Sequence, residues 1–273
     1  MSAFESRVDR FAIDLLGSAD AKHSLTALAV FCVALLQFGY FTWWMLEQPI
    51  LDMYGFRPAQ TLISVPYMLR DGAWFANIVP VFGEPWVFPL EFPFYQWCVA
   101  GLTSVLGLPV SISGRLVSAL FAVLCLWPIY LAAGAVQIEF RRSFTLLTGA
   151  LWLFSPAVIF WGRATLIETS VVFLGLGWLA FYTRLIWSGR WSDFIPCILF
   201  GCLAAAVKIT AFVGFLFIGL AYTFYSAWTR RQSLIQERLR FTLCLISGIA
   251  PAAALLSWSG YASGYLKQNP LSS

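Results

Sequence analysis

The chain has 273 residues, of which 60% are hydrophobic, 18% aromatic and only 11% charged, against roughly a quarter charged in a typical soluble domain. Apolar runs of about 20 residues, the length a helix needs to cross a hydrocarbon core, recur along the chain and exclude a soluble globular fold. The net charge of +4 informs topology and gives no nucleic-acid surface, because Lys and Arg of membrane proteins concentrate in cytoplasmic loops.

Residues 1–23 mix Glu5, Asp9, Asp14 and Asp20 with Arg7, Arg10 and Lys22. No small-residue cleavage site follows the first apolar run, so no secretory signal peptide is expected, and 1–23 reads as a cytoplasmic N-terminal segment. The first span is predicted over about 24–46. A first outer loop, 47–114, follows; it is rich in Pro and aromatic residues (Pro49, Pro58, Pro66, Pro80, Pro85, Pro89, Pro93) and too long for a simple helix connection. Within it, 97–112 is apolar but short, with Gly101, Gly107 and Pro109 inside or near its end. It is either a span or an interfacial helix. If it spans, Arg141, Arg142, Arg184, Arg190, Arg230, Arg231, Arg238 and Arg240 fall outside. If it rests on the outer surface, they fall inside with the N-terminus, as the distribution of positive charge requires.

The second arrangement predicts further spans over 115–136, 143–161, 167–187 and 241–262, with a pair inside 194–228. That run is too long for one span and short for two, and Lys208 divides it, most simply at the outer face. The expectation is an all-α integral membrane protein of about seven spans, lying over 24–262, with interfacial helices in the first outer loop and an outer tail, 263–273. Cys32, Cys98, Cys125, Cys197, Cys202 and Cys244 lie in or beside apolar segments without metal-ligand spacing, which points to packing. The single histidine, His23, is on the cytoplasmic side, which argues against Ser/His/Asp hydrolysis and an outer-face His ligand. No Walker-type or dinucleotide-binding glycine pattern is present.

On this topology the outer side gathers Asp52, Arg57, Glu91, Arg115, Arg163, Glu168 and Lys208 near helix ends. Charges bordering hydrocarbon are costly, so their concentration at one depth marks a candidate site. The bland reading is that the cations snorkel to lipid headgroups and that Glu168 is a first-turn carboxylate favoured by the helix dipole. Glu84 and Asp71 read as water-facing, and Trp74, Trp86 and Trp97 as interfacial anchors.

The order of segments is similar to that of a known family. Asp52 follows the first span, then come Arg57 and Pro58, the stretch Pro89-Leu90-Glu91-Phe92-Pro93, Gly114-Arg115, and Gly162-Arg163 with Glu168 downstream. This series resembles the protein O-mannosyltransferase and aminoarabinose-transferase group of GT-C membrane glycosyltransferases, over about residues 24–270. The resemblance implies a GT-C-like bundle in the cytoplasmic (inner) membrane that moves a sugar, with inversion, from a polyprenyl-phosphate donor to an acceptor of unidentified nature on the non-cytoplasmic side. It also implies roles. Asp52 would be the base, with Arg57 keeping it ionised. Glu91 and Glu168 would orient the acceptor or hold a divalent metal cation, and Arg115, Arg163 and Lys208, with Arg57 in the same donor-binding set, would clamp the donor phosphate. Members of the group continue through further spans, so the chain reads as an N-terminal portion and 263–273 as a truncated tail. An inactive remnant or half-enzyme, a secondary transporter and a lipid-binding membrane protein are the rival readings. A transporter would place its charges near the midplane and show two related halves, neither of which is visible here.

Overall fold

The computed structural model describes residues 5–50, 55–80, 86, 87, 89, 91–229 and 234–267. Among them regular structure is helical, apart from one isolated bridge pairing Ile78 with Val87. The helices are α1 Glu5–Met45, α2 Phe56–Asp71, α3 Phe94–Leu106, α4 Val110–Leu124, α5 Leu126–Ala135, α6 Arg141–Phe154, α7 Pro156–Trp161, α8 Glu168–Ser188, α9 Trp191–Thr229 and α10 Leu234–Leu266. Without water in the bilayer core every backbone N–H and C=O must find an internal partner, and a helix provides it within one segment. Among the described residues five stretches are long and apolar enough to cross a membrane: Ser24–Met45, Val110–Ala135, Glu168–Ser188, Trp191–Ser226 and Phe241–Gly264. The protein is a multi-pass membrane protein.

Two predicted spans differ in the structure, and in both proline is the reason. The stretch expected as one span over 143–161 is two helices. Ser155, with φ −59 and ψ 127, leaves the helical region before Pro156, as the clash of a proline ring with its preceding residue demands. The span expected to begin at Arg115 begins at Val110. Gly107 closes α3 in the left-handed conformation (φ 64), and Pro109 stands extended ahead of α4. Arg115 therefore lies inside a helix rather than at its start, and is 2% exposed. Helix α3, at 13 residues, spans only about 20 Å and cannot cross a bilayer.

Helix α9 is broken at Lys208, whose φ of −161 and ψ of 92 are extended. The two halves return alongside each other. A Cβ on Gly201, before the break, would lie 2.5 Å from Cδ1 of Trp178, and one on Gly219, after it, 2.6 Å from Cη2 of the same ring. On a straight helix those glycines would be about 27 Å apart, far more than an indole can bridge. Fixed points at both ends of α8 agree. Arg184 pairs with Asp193 and Tyr182 meets Thr223 near its C-terminal end, while Lys208 reaches Glu168 at its N-terminal end.

Trp178 is the hub of this half of the molecule. It is fully buried, stacks on Tyr182 with centroids 4.7 Å apart, and donates its indole N–H to the Ser247 carbonyl of α10. Gly175 receives Phe215 and Gly177 receives Phe200, so small residues of α8 admit a large side chain from each half of α9. A second, smaller core joins α1 to α4, α6 and α7 through Ala34, Phe38, Ala122, Leu153 and Val158. The α8–α9 corner is closed by Gly189 (φ 60) and by Asp193, which accepts from Ser188 as well as Arg184.

Candidate functional site

At the end of the bundle marked by Glu168 and Lys208, the first loop comes down onto the break in α9. A helix break releases carbonyls from their usual donors. One of them, on Ala206, accepts from the backbone N–H of Phe92 at 3.1 Å. This bond ties the segment carrying Glu91 to the turn carrying Lys208.

Two ion pairs stand there. Lys208 Nζ donates to Glu168 Oε1 at 2.6 Å, and Arg57 Nη1 lies 3.7 Å from Glu91 Oε1. The second is the looser contact, and its Arg57 side chain is 53% exposed. Partial burial pushes the Glu91 carboxyl above its usual range; Arg57 and Lys208 oppose the rise and Glu168 adds to it. Four candidate side chains from four separate segments thus share one electrostatic neighbourhood, in which two carboxylates balance two cations.

The other two cations point elsewhere. Arg115 donates to the carbonyls of Met45 at 2.5 Å, Gln48 at 2.9 Å and Pro49 at 3.3 Å. Arg163, in the turn between α7 and α8, donates to the Phe41 carbonyl at 3.0 Å. Both guanidinium groups therefore serve carbonyls at the C-terminal end of α1 and, for Arg115, in the turn just after it, where the helix dipole favours positive charge. They fix the point at which the chain leaves α1 for the first loop. Asp52, the candidate base, lies outside the described residues, as does Glu84. Arg57 stands beside Glu91, and its expected pairing with Asp52 lies outside the described residues. Asp71 is exposed and held by its neighbour Arg70.

Beside the charges is an apolar groove of about 580 Å³ between the first half of α9 and α10, lined by Leu199, Leu203, Ala206, Ala254 and Trp258, with Phe75 and Phe92 from the first loop. Phe92 meets Trp97 and Trp258 edge-on, with centroids 4.9 and 5.1 Å apart. The groove and the charged cluster adjoin through chain neighbours: Phe92 follows Glu91, and Ala206 precedes Lys208 by two residues. Trp97 also donates its indole N–H to the Trp74 carbonyl at 2.8 Å.

Among the described residues no three His, Cys, Asp or Glu side chains are grouped to hold a metal ion. Glu91 and Glu168 each face a cation of the chain, a poor fit for a divalent cation at those two groups. Two polar residues that sequence reasoning passed over also border the site. Asn77 donates from Nδ2 to the Glu91 carbonyl at 3.1 Å, and Gln96 is 4% exposed on the first turn of α3. The one available signal was Gln96 itself, a lone amide in the aromatic and apolar stretch 92–102.

No family model, curated protein or solved structure matches the chain.

Proposed function

We propose that the protein is a membrane glycosyltransferase of GT-C type. It would transfer a sugar from a polyprenyl-phosphate donor to an acceptor hydroxyl on the non-cytoplasmic side of the inner membrane. One observation carries this reading. An apolar groove large enough for a prenyl chain opens beside a neutral cluster of two cations and two carboxylates. A lipid-linked phosphate needs both surfaces next to each other. The reading keeps seven crossings, counting the two halves of α9 separately and the α6–α7 pair as one.

The roles follow from reach. Arg57, exposed, and Lys208, half-buried, are the cations beside the groove, and they contact the donor phosphate, Arg57 with a fork suited to two oxygens. Arg115 and Arg163 act one step back by fixing the end of α1 and the chain that leaves it up to Pro49. The acceptor oxygen attacks the anomeric carbon and its proton passes to the Asp52 carboxylate. The bond from that carbon to the phosphate oxygen breaks with inversion, and the electron pair leaves on the polyprenyl phosphate, whose charge the two cations stabilise. No step is assigned to a metal. A transporter reading would place its charges at mid-depth, whereas Glu168 opens its helix and Lys208 sits at a turn.

The test is transfer of radiolabelled sugar from a polyprenyl-phosphate donor by the full chain in lipid nanodiscs. Asp52→Asn is expected to lower transfer by a factor on the order of 10²–10⁴, the usual worth of a general base, with its melting temperature unchanged. Wild-type rates in that variant would remove Asp52 from the chemistry.

A further inference from the structure

Next to the charged cluster, between α2, α3 and the loop joining them, is a small polar pocket of about 20 Å³ bordered by Arg57, Ser64, Asn77, Glu91 and Gln96. Two of its side chains are almost wholly buried, Asn77 at 6% and Gln96 at 4% exposed, and each ends in a carbonyl oxygen, Asn77 Oδ1 and Gln96 Oε1, that no donor reaches. An unmet buried acceptor costs on the order of 1–3 kcal/mol, so two together are unusual unless something supplies hydrogens. The orientation of Asn77 is set by its own contacts. Its Nδ2 is held by the Glu91 carbonyl, which turns Oδ1 the other way, and its backbone sits at φ 44, a left-handed conformation that asparagine tolerates better than most residues.

The space selects the occupant by size and charge. A volume of this order holds one water-sized group. The groups short of a partner are acceptors, so the occupant must donate hydrogen bonds. Arg57, Lys208, Glu91 and Glu168 already sum to zero charge, and Glu91 faces both cations. A further cation would lie bare beside Arg57, whereas a neutral hydroxyl adds no charge and can accept from Arg57 while donating to a carbonyl.

We propose that this pocket is a specificity subsite that reads one hydroxyl of a carbohydrate, with Asn77 and Gln96 as the acceptors and the body of the sugar lying outside towards Arg57 and Glu91. The inference rests on the glycosyltransferase reading for the identity of the alcohol. A site built to bond a hydroxyl rejects the analogue that lacks it, because its own buried polar groups are then left unpaired.

The experiment titrates the full chain in nanodiscs, by ligand-observed NMR, with the methyl glycosides of mannose, glucose and arabinose and with each singly deoxygenated form. For the wild type, at least one parent glycoside is expected to bind about tenfold or more tightly than one of its deoxy forms. Gln96→Met, similar in shape but without the carbonyl, is expected to close that gap at unchanged melting temperature, and Gln96→Glu to retain it. Should Gln96→Met not fold, Asn77→Gly carries the same comparison on a backbone that glycine accepts. Four results would overturn the subsite: no parent glycoside binds, every deoxy form binds as its parent does, the gap survives the removal of the carbonyl, or Mg²⁺ or Ca²⁺ alone stabilises the wild type but not Gln96→Met. The second would mean a buried water only, and the last a cation site. Transfer does not enter the measurement, so a chain that discriminates hydroxyls yet moves no sugar would retain the subsite and lose only the glycosyltransferase reading.

Discussion

At Glu91 the chain holds a carboxylate in surroundings that work against its charge. Burial pushes its proton affinity up, and Arg57 and Lys208 offset that only in part. Below the ordinary carboxylate range, about pH 4.3, both folded and unfolded chains are protonated there and Glu91 adds no pH dependence. Above it the unfolded chain releases its proton first, so stability falls with rising pH until the folded group ionises as well. Glu91→Gln removes this titration. Its melting temperature relative to wild type is therefore expected to climb between pH 4 and pH 7 in detergent, and a relative fall over that window would contradict the assignment. Residue roles were unevenly legible. Glu168 and Lys208 stood out as charges in apolar sequence, and they do meet. Arg115 stood out for the same reason, yet its guanidinium serves carbonyls at and just beyond the end of α1, about 70 residues away, a long-range partnership that local spacing cannot express. Asn77 was silent and Gln96 showed only as a lone amide in apolar sequence, because their interest lies in being buried without a donor, a property of the packed chain.

The elements themselves follow from apolar length and from the residues that interrupt it. Span 167–187 was readable because it ends at Gly189 and starts at a charged residue, and α8 covers nearly those positions. Span 143–161 is two helices in the structure, a break that hydropathy misses because it does not register the backbone consequence of Pro156. The fold-back of α9 rests on glycines, and this can be tested. A Cβ on Gly201 would meet Trp178 at 2.5 Å and Pro251 at 3.0 Å, and one on Gly219 would meet the far edge of the same indole. Trp178 is fully buried and cannot swing aside. Gly201→Ala and Gly219→Ala are each expected to destabilise by roughly 1–3 kcal/mol, the usual cost of overpacking. At Gly214 and Gly248 nothing lies within 4 Å of the added carbon, so alanine there is expected to be neutral or mildly stabilising, as its higher helix propensity favours. Thermal unfolding in detergent would separate the two pairs, and equal effects in all four would refute the packing around Trp178.

Over the whole molecule, the two ends of the bundle differ in kind. Arg141 with Tyr130 and Arg184 with Asp193 occupy the corners between α5 and α6 and between α8 and α9, while Glu91, Glu168 and Lys208 gather at the opposite end of α8. A chain read only for its basic residues already implies this polarity, since positive loops stay on the cytoplasmic side. Hydropathy alone leaves the run 194–228 too long for one span and short for two, and the charge at Lys208 is what marks the turn. Sidedness follows from the fold-back. If α9 were a single crossing, Gly189 and Lys208 would fall on one stretch leading through the membrane and the end of α9 would emerge on the far side. With the return at Lys208, the two ends of α9 lie on one side and the break on the other, and the proposed topology makes the break the outward-facing point. Single cysteines placed at Arg190, Lys208 and Arg57, on a background without the six native cysteines, give the readout. A membrane-impermeant maleimide applied to the outside of intact cells is expected to label positions 57 and 208 and to spare 190 until the membrane is opened. Labelling of 208 together with 190 would refute the return of α9, and labelling of 57 opposite to 208 would separate the two ion pairs across the bilayer, so that no phosphate could meet Arg57 and Lys208 at once.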